Sequence, residues 1–359
     1  MDIEIETETQ TEQDMKTGNT GIHGFIAGGL VLLATLLTVS PATAATFKIA
    51  TLAPDGTAWM KQMRAGAEEI ERRTAGRVNF KFYPGGVMGN DKTVRRKIRI
   101  GQLQGGALTG GIFADVYPDS QLYSLPLVFR GYPEMDYVRA RMDQQLVAGL
   151  EKNGFVTFGL SEGGFAYLMS KETIRSLDDL KSRKVWVPEG DMLTRTVFEN
   201  MGITPIPLPI ADVYTGLQTG LIDTVGISPI GAIAFQWHTQ VKYVVDTPLM
   251  YIYGVMAIDS KAFNRLKPED QKTVREVMGQ VFTSLNKQNR ADNKSAKQAL
   301  RKQGLEFVDM TSADLKQMRT TVAAARKNLD AQGLYSKAAY KTMLDYLDQY
   351  RQANGVKIQ

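Results

Sequence analysis

Three acidic residues have the types and positions that could support catalysis. Glu189 and Asp191 stand just after Pro188, and Asp223 follows a short apolar helix pattern. Two carboxyl groups on either side of a bond can act as acid and base, as they do in glycosidases. No spacing in the sequence fixes two of these groups at a catalytic separation, and each also has a structural explanation. A carboxylate-dependent hydrolase is therefore kept only as an alternative function.

Glu189 and Asp191 also admit a binding role and a structural one. In a cleft, either carboxylate could bind a hydroxyl or a cation of a ligand. At a helix start, an acidic side chain accepts hydrogen bonds from the first backbone N–H groups and is favoured by the helix dipole. Helix capping is the favoured interpretation, and Glu189 is kept as a candidate ligand contact.

The composition excludes several kinds of site. The chain has no cysteine, which excludes disulfides, zinc–thiolate sites and cysteine nucleophiles. It has two histidines, and His23 lies in a segment that we expect to be removed. His238 alone cannot form a histidine metal cluster, and a structural role for it is favoured over ligand contact. The sequence has neither a dinucleotide-binding glycine fingerprint nor a Walker loop, so we predict no metal and no cofactor.

The N-terminal residues 1–44 have the pattern of an extension followed by a secretory signal peptide. Lys16 precedes an uncharged stretch from Gly24 to Val39, and Ala42-Thr43-Ala44 is a small-residue cleavage pattern before Ala45. A membrane anchor is the alternative, but the stretch is short for a span of about 20 residues. We predict export to the periplasm with cleavage near Ala45. Whether translation starts at Met1 or at Met15 stays open.

Removal of this segment makes the chain basic. Residues 1–44 hold six acidic residues and one lysine, so their loss raises the formal net charge from +5 to +10. Lys and Arg are spread among predicted helices, with no arginine-rich run and no aromatic RNA-binding motif. We therefore predict no nucleic-acid partner. The basic surface is interpreted as a solvated one, with a bias toward anionic lipid or an acidic partner.

One stretch, Ala211–Pro229, is predicted to bring a helix directly onto a buried strand. Asp212 can cap the helix, and Gly220 stands where a helix commonly ends in a left-handed turn. The apolar run Ile222–Ile227 predicts a short buried strand. Apolar residues spaced by four place one face of the helix on the core: Val213, Leu217 and Leu221. Open α/β sheets bind ligands at such strand ends.

The 359 residues suffice for two domains, and strands alternate with helices in two successive parts of the chain. The apolar stretch Tyr251–Asp259 predicts a strand long enough to serve both parts. A helix from Lys267-Pro268 to about Gln303 would be about 50 Å long, which exceeds one small domain. The predicted fold class is α/β, with two lobes, mixed and mostly parallel sheets, and a long helix spanning both lobes.

Two glycine pairs stand at the end of a predicted strand. Gly105-Gly106 and Gly110-Gly111 flank the apolar residues that end it. Glycine there permits a ligand to approach the backbone closely, and it also permits simple loop flexibility. The sequence does not decide between these two interpretations.

Several phrases, taken together and in order, resemble a known family. The chain resembles the solute-binding proteins of tripartite ATP-independent periplasmic (TRAP) transporters, of the dicarboxylate-binding type. The resemblance covers about Ala45 to Gln303, and its phrases are Gly76-Arg77-Val78, Phe82-Tyr83-Pro84-Gly85-Gly86, Asp178-Asp179-Leu180-Lys181, Lys184-Val185-Trp186-Val187-Pro188, and Tyr214 to Asp223.

The resemblance implies two α/β lobes that close on a small-molecule ligand and then dock on membrane permease subunits. It places lobe I at residues 45–163, lobe II at 164–250, a return to lobe I with the spanning helix at 251–290, and lobe II with C-terminal helices at 291–359. Some relatives work with a periplasmic helical-repeat partner on apolar ligands, and we keep that partner as an expectation.

The chain departs from the family where the family holds a ligand carboxylate. Arginine–carboxylate pairs bind through two parallel hydrogen bonds, and the two family arginines fall on Trp186 and Ala166 here. The asparagine expected after the central strand falls near Ser228. A buried carboxylate without its partner costs about 3–5 kcal/mol. Arg195 and Arg130 are the alternatives that could replace the missing anchor.

These departures favour a ligand that is neutral or mostly apolar rather than a small dicarboxylate. An aromatic ring such as Trp186 offers about 150–250 Å² of apolar contact. Glu189 is also a predicted ligand contact. Aromatic residues near Trp186 are predicted to extend its apolar surface: Phe165, Tyr167, Phe235, Trp237, Tyr251 and Tyr253. The alternative is that these rings form the core of a lobe.

A receptor that reports its ligand to a membrane sensor is the other function kept open. Permease genes beside this one would indicate transport, and a sensor kinase gene would indicate signalling. The hydrolase alternative predicts a glycosidase activity that Asp223→Asn removes.

Overall fold

The computed structural model of the chain describes residues 44–356, apart from the side chains of residues 326, 327, 330 and 331. The predicted extension and nearly all of the predicted signal peptide lie outside the described residues. Within that range, no helix combines the length and the apolar character needed to cross a bilayer.

The described residues form a mixed α/β fold. The strands are β1 Ala45–Thr51, β2 Val78–Tyr83, β3 Gly105–Thr109, β4 Phe155–Val156, β5 Ser161–Ser170, β6 Trp186–Pro188, β7 Ile206–Leu208, β8 Thr224–Ile227, β9 Tyr243–Val245, β10 Met250–Asp259 and β11 Glu306–Val308. The helices are α1 Ala58–Arg73, α2 Asp91–Arg99, α3 Tyr132–Lys152, α4 Leu177–Lys181, α5 Met192–Asn200, α6 Val213–Thr219, α7 Pro229–Ala234, α8 Ser260–Phe263, α9 Pro268–Lys302, α10 Ser312–Gln332 and α11 Lys337–Ala353.

Two groups of strands make up the two lobes, and two long strands join them. In the first lobe, β1 pairs in parallel with β2 and with β3. In the second lobe, β5 pairs antiparallel with β8 and β9, β9 pairs in parallel with β11, and β6 and β7 form a separate parallel pair. Strand β10 pairs antiparallel with β3 on one side and with β5 on the other. The predicted long strand therefore serves both lobes.

The long helix α9 also contacts both lobes, as predicted. It packs on α1 in the first lobe and on α7 and β5 at the second. Arg77 holds the first turn of α9, because the Nε and Nη2 atoms of Arg77 donate to the buried Asp270 at 3.0 and 2.7 Å. Asn293 fixes its second half, because its Oδ1 accepts a hydrogen bond from the Ile230 backbone N–H at 3.2 Å.

Local sequence signals for helix ends are confirmed. Gly101 and Gly220 follow α2 and α6 with φ of +76° and +75°, the left-handed region that favours glycine. The sequence Ser176-Leu177-Asp178-Asp179 predicts a capping box, and Ser176 and Asp179 form it at α4, with each side chain accepting from the other's backbone N–H. Asp212 stands before α6, but its side chain makes no capping hydrogen bond, and a short 3₁₀ turn, Ile210–Asp212, begins the helix instead.

The strand prediction around residue 160 is wrong in its boundaries. The apolar pattern of the sequence predicts one strand over Phe155–Leu160 and another that begins at Tyr167. In the structure the first is reduced to β4, and β5 begins at Ser161. Gly159 turns the chain with φ of +139°, which ends the first strand early. Gly164, with φ of +88°, lies opposite Ile252, where the register with β10 shifts by a bulge. The bulge lets β5 continue through Gly163 and Gly164.

Candidate functional site

A cavity of about 360 Å³ lies between the two lobes. The first lobe contributes the ends of β1 and β3 and the beginnings of α1 and α2. The second lobe contributes the end of β6, helix α5 and the segment from β8 through α7, and β10 supplies further lining residues. The cavity size falls in the range of small-molecule sites, and most of its lining residues are apolar.

Aromatic rings from the second lobe form one wall of this cavity, which we call the aromatic wall: Trp186, Phe235 and Trp237. The ring centroids of Trp186 and Trp237 lie 5.2 Å apart at an interplanar angle of 81°, and those of Phe235 and Trp237 lie 5.6 Å apart. The Trp186 Nε1–H donates to the backbone oxygen of Leu208 at 2.9 Å, which fixes the indole in place. The wall is also continuous with the core of the second lobe, and ligand contact by these rings stays a prediction.

Two further predicted site residues line the cavity. Ser228 caps α7, where its Oγ accepts from the Gly231 backbone N–H at 3.4 Å. Glu189 lies between β6 and α5, and its Oε2 accepts from Asn90 Nδ2 of the first lobe at 3.0 Å.

The other four predicted site residues are not among the residues that line the cavity. Phe165 packs edge-on against Tyr251 at 5.4 Å, and Ala166 is fully buried in β5. Tyr251 is also fully buried, and its hydroxyl donates to Glu162 at 2.9 Å and accepts from Arg139. The Lys297 ammonium lies over the Tyr167 ring at 4.7 Å. These side chains pack at the junction of the lobes, away from the cavity lining.

The alternative anchors Arg195 and Arg130 do not line the cavity either. Arg195 pairs with Glu199 on the same helix at 2.7 Å. Burial and the nearby Arg351 guanidinium lower the pKa of Arg130, which lies at the beginning of α3. Among the described residues that line the cavity, there is no arginine and no lysine.

The remaining acidic and basic candidates have structural partners. Asp191 caps α5, where its two carboxylate oxygens accept from Thr194 N–H at 2.9 Å and Thr194 Oγ1 at 2.7 Å. It lines the cavity, and burial raises the pKa of its carboxyl in spite of these bonds. Asp223 accepts from the Lys184 backbone N–H at 2.9 Å and is not a lining residue. The Nδ1 of His238 lies 3.0 Å from the Ala232 backbone oxygen, which supports its structural role.

Trp59 and Asp91 are among the first-lobe lining residues that the sequence analysis does not predict. Trp59 belongs to the apolar stripe of α1, which predicts a core position. Asp91 follows Asn90 at the start of α2, where an acidic residue is usually explained by the helix dipole. No local signal separates these residues from ordinary helix residues, because their role depends on the second lobe.

Packing inside the protein requires glycine at two positions of the glycine pairs. A Cβ on Gly105 would come within 2.6 Å of the Ala257 backbone oxygen, and one on Gly110 within 2.3 Å of the Tyr253 ring. Gly111 also lines the cavity, and a Cβ there would meet nothing within 4 Å. Close packing therefore explains Gly105 and Gly110 without a ligand.

Residues 49–332 match the model of a family described as bacterial extracellular solute-binding protein, family 7. The chain belongs to this family. Its members are solute-binding transport proteins rather than enzymes, so the hydrolase alternative is wrong. Proteins of the TRAP type bind small molecules in the periplasm and work with membrane permease subunits.

Named relatives and solved structures agree with the family assignment. The chain is 23% identical, over 69% of its length and 75% of the relative's, to the C4-dicarboxylate-binding periplasmic protein DctP of Rhodobacter capsulatus. Its fold matches the sugar acid binding protein DctPAm of Advenella mimigardefordensis, in complex with galactonate, with a TM-score of 0.79 and 19% identity over 86% of this chain and 99% of that one. It also matches a TRAP periplasmic solute-binding protein of Pseudomonas putida with bound D-glucuronate, with a TM-score of 0.75 and 24% identity over 88% and 98% of the two chains. The predicted α/β fold with two lobes is thereby confirmed.

Proposed function

We propose that this chain is the solute-binding component of a TRAP transporter whose ligand is neutral or mostly apolar rather than a dicarboxylate. The observation that carries the proposal is the lining of the cavity between the lobes. Among its described residues there is no guanidinium or ammonium group, and the position that resembles the family's carboxylate-binding arginine is Trp186.

Electrostatics at the cavity oppose an anionic ligand. The acidic residues in the lining are Asp91, Glu162, Glu189 and Asp191, and no basic side chain lines it among the described residues. A carboxylate that enters such a site loses its hydration without gaining a cationic partner. The penalty of about 3–5 kcal/mol corresponds to a loss of about 150- to 5,000-fold in affinity.

The aromatic wall supports the apolar part of the proposal. A ligand ring or chain placed against Trp186, Phe235 and Trp237 would gain about 25 cal/mol for each Å² of apolar surface removed from water. The ligand contacts that we propose are these rings together with Glu189 and Ser228.

Organic acids are the competing ligand class, because the solved relatives named above hold galactonate and D-glucuronate. Calorimetric titration of the mature chain, unfolded and refolded to remove any bound solute, separates the two classes. The probes are 3-phenylpropan-1-ol, 3-phenylpropionate, D-glucuronate and D-galactonate. We expect the alcohol to bind at least tenfold more tightly than its carboxylate counterpart. Tighter binding of either sugar acid or of 3-phenylpropionate would overturn the proposal.

A matched pair of variants tests whether the aromatic wall contacts the ligand. Phe235 lines the cavity, whereas Phe307 on β11 is a partly buried phenylalanine of the same lobe that does not. We expect Phe235→Ala to weaken binding of 3-phenylpropan-1-ol about tenfold and Phe307→Ala to leave it within twofold. Equal effects of the two substitutions would contradict the proposed contact.

Three further expectations belong to this proposal. We propose cleavage of a signal peptide near Ala45, which N-terminal sequencing of the exported protein would test. We propose the lobe boundaries 45–163 with 251–290, and 164–250 with 291–359. The helical-repeat partner and the sensor-receptor alternative stay predictions that no contact of the described residues favours.

A further inference from the structure

Helix α2 of the first lobe exposes a face that is basic apart from one apolar residue. The helix packs its buried face on β3. The opposite face is exposed, and its residues are spaced by three or four along the helix: Lys92, Arg96, Arg99 and Ile100. The Ile100 side chain, at the end of the helix, is 58% exposed. We call these four residues the basic face.

Two further basic residues of α2 have partners inside the protein. Arg95 donates to both carboxylate oxygens of Asp115, and Lys97 Nζ donates to the Met88 backbone oxygen at 3.0 Å. Within residues 44–356, by contrast, no hydrogen bond, ion pair or aromatic ring holds the three basic side chains of the basic face. Residues 92–114 contain neither Asp nor Glu, so no acidic residue nearby in the sequence neutralises these charges. The face therefore presents three uncompensated cations.

Both the charge and the apolar end of the basic face suit an anionic surface. The chain from Ala45 onward carries a formal net charge of +10, because the −5 of residues 1–44 is removed from the total of +5. Each exposed Lys or Arg near an anionic lipid surface strengthens partitioning about fivefold, so three of them give an effect of about a hundredfold. Ile100 adds apolar surface that can enter the headgroup region beside these cations.

A lipid surface fits the basic face better than an acidic protein does. None of its four side chains lines the cavity between the lobes, and no contact with another described residue fixes the geometry of its charged groups. Protein interfaces have fixed complementary contacts and are depleted of lysine. Lipid headgroups attract clustered Lys and Arg side chains through their charge and require no fixed register.

We propose that the basic face is a docking surface for anionic phospholipid headgroups. It holds the solute-binding protein at the membrane that contains the permease subunits with which its family works. Confinement to that surface raises the concentration of the protein near those subunits without any new contact to them. The inference goes beyond the proposed function and does not depend on the class of ligand.

Co-sedimentation with lipid vesicles tests the inference. The purified chain from Ala45 to Gln359 is mixed with vesicles of phosphatidylcholine alone, or with vesicles of equal parts phosphatidylcholine and phosphatidylglycerol. At about 0.1 M salt we expect at least tenfold stronger binding to the anionic vesicles. At about 1 M salt, where the screening length is about 3 Å, the difference should fall below threefold. Equal binding to both kinds of vesicle at about 0.1 M salt would overturn the inference and leave an acidic protein as the partner.

A triple substitution and a matched control locate the lipid contact on the chain. The triple variant Lys92→Gln/Arg96→Gln/Arg99→Gln removes side chains without partners among the described residues, so it should fold and bind anionic vesicles at least tenfold more weakly. The control replaces three other exposed basic residues, which also lack a partner in the part of the chain that the structure describes, by glutamine: Lys261, Arg265 and Lys267. The control should bind within threefold of the unsubstituted chain. Equal losses in the two variants would overturn the inference, because total charge rather than the basic face would then govern binding.

A charge-conserving variant separates a lipid surface from an acidic protein partner. Arg96→Lys/Arg99→Lys keeps the charges of the basic face but loses the planar guanidinium groups that bind carboxylates through two parallel hydrogen bonds. Headgroup binding needs charge rather than this geometry, so we expect the variant to bind anionic vesicles within threefold of the unsubstituted chain. A loss of tenfold or more would overturn the lipid proposal, because binding would then depend on guanidinium geometry, as it does for an acidic protein.

Discussion

The amide of Asn90 in the first lobe donates a hydrogen bond to the carboxylate of Glu189 in the second lobe, with Nδ2 and Oε2 3.0 Å apart. Asn90 also caps α2, because its Oδ1 accepts from the Thr93 backbone N–H at 2.9 Å. One side chain therefore holds the beginning of α2 and reaches across the cleft beside the cavity. The lobes touch through polar side chains here, which makes this a closed conformation.

We expect Glu189→Ala to weaken ligand binding by about two- to threefold. The bond exists only when the lobes meet, so its loss destabilises the closed state relative to an open one. The effect is small because the bond is exposed and contributes about 0.5 kcal/mol. Calorimetry with 3-phenylpropan-1-ol measures it, and small-angle scattering reports the open fraction without ligand.

Glu199→Ala is the matched control for this prediction. Glu199 is another exposed glutamate of the second lobe, and its partner Arg195 lies on the same helix rather than across the cleft. The control should leave affinity unchanged. Equal affinities of the Glu189 and Glu199 variants would contradict a role for the Asn90–Glu189 bond in closure.

Features of the fold that depend on near neighbours in sequence could be predicted. The left-handed glycines at 101 and 220 end their helices, and the Ser176–Asp179 capping box begins α4, as local patterns indicate. The extent of β5 could not be predicted, because its first residues are held by pairing with the distant β10. The bulge opposite Ile252 carries the strand through Gly163 and Gly164, two residues that usually end a strand.

The candidate site could be predicted only where a family position identified it. Trp186 was found because it replaces a recognisable arginine position. Phe165 and Tyr251 have the same aromatic character as Trp237, yet they pack at the junction of the lobes. Asp91 was missed because an acidic residue at a helix start is explained locally by the helix dipole, whereas its place in the cavity lining depends on the second lobe.

We expect Trp186→Arg to shift ligand preference toward acids. The substitution places a guanidinium in a wall that otherwise contains Phe235 and Trp237, so the ratio of 3-phenylpropionate to 3-phenylpropan-1-ol affinity should rise at least tenfold, about 1.4 kcal/mol. Loss of the indole also removes the hydrogen bond to the Leu208 oxygen and should cost about 3 kcal/mol of unfolding free energy.

Trp186→Phe is the control for the change of preference, because it keeps a ring and adds no charge. It should lower stability while preserving the order of the probes. An unchanged acid-to-alcohol ratio in a folded Trp186→Arg variant would mean that Trp186 does not contact the ligand.

The ion pair between the partly exposed Arg290 and the buried Glu162 should contribute more to stability than a pair in which neither side chain is buried. Glu162 has a side chain that is 1% exposed, and it accepts from Arg290 Nε at 3.0 Å and Nη2 at 2.5 Å. We expect Arg290→Met to lower the free energy of unfolding by about 3 kcal/mol, because it leaves a buried carboxylate with fewer partners.

Arg73→Met provides the exposed comparison on the same scale. Arg73 pairs with Glu276 at 2.7 Å, and the two side chains are 33% and 42% exposed. Its loss should cost less than about 1 kcal/mol. Denaturant titration of both variants measures the two effects, and similar values would contradict the importance of burial at Glu162.

Neutralising Asp91 should stabilise the unliganded protein at neutral pH. Burial raises the folded-state pKa of this carboxyl above its unfolded value of about 3.9, so the folded state binds the proton more tightly than the unfolded state. Stability from this group is fully present below the unfolded pKa and is lost as the pH rises through the folded pKa. The cavity lining also contains Glu162, Glu189 and Asp191, and none of these acidic groups compensates the charge.

The prediction is checked by thermal unfolding of Asp91→Asn and the unsubstituted protein without ligand from pH 3.5 to pH 8. The variant should melt at a higher temperature at pH 7, and the difference should shrink as the pH falls below about 4, where Asp91 becomes protonated in both states. Asp119→Asn should instead melt lower at pH 7, because it weakens the bonds from Ser336. If the difference in melting temperature between Asp91→Asn and the unsubstituted protein does not change with pH, then burial does not disfavour the charged form of the Asp91 carboxyl.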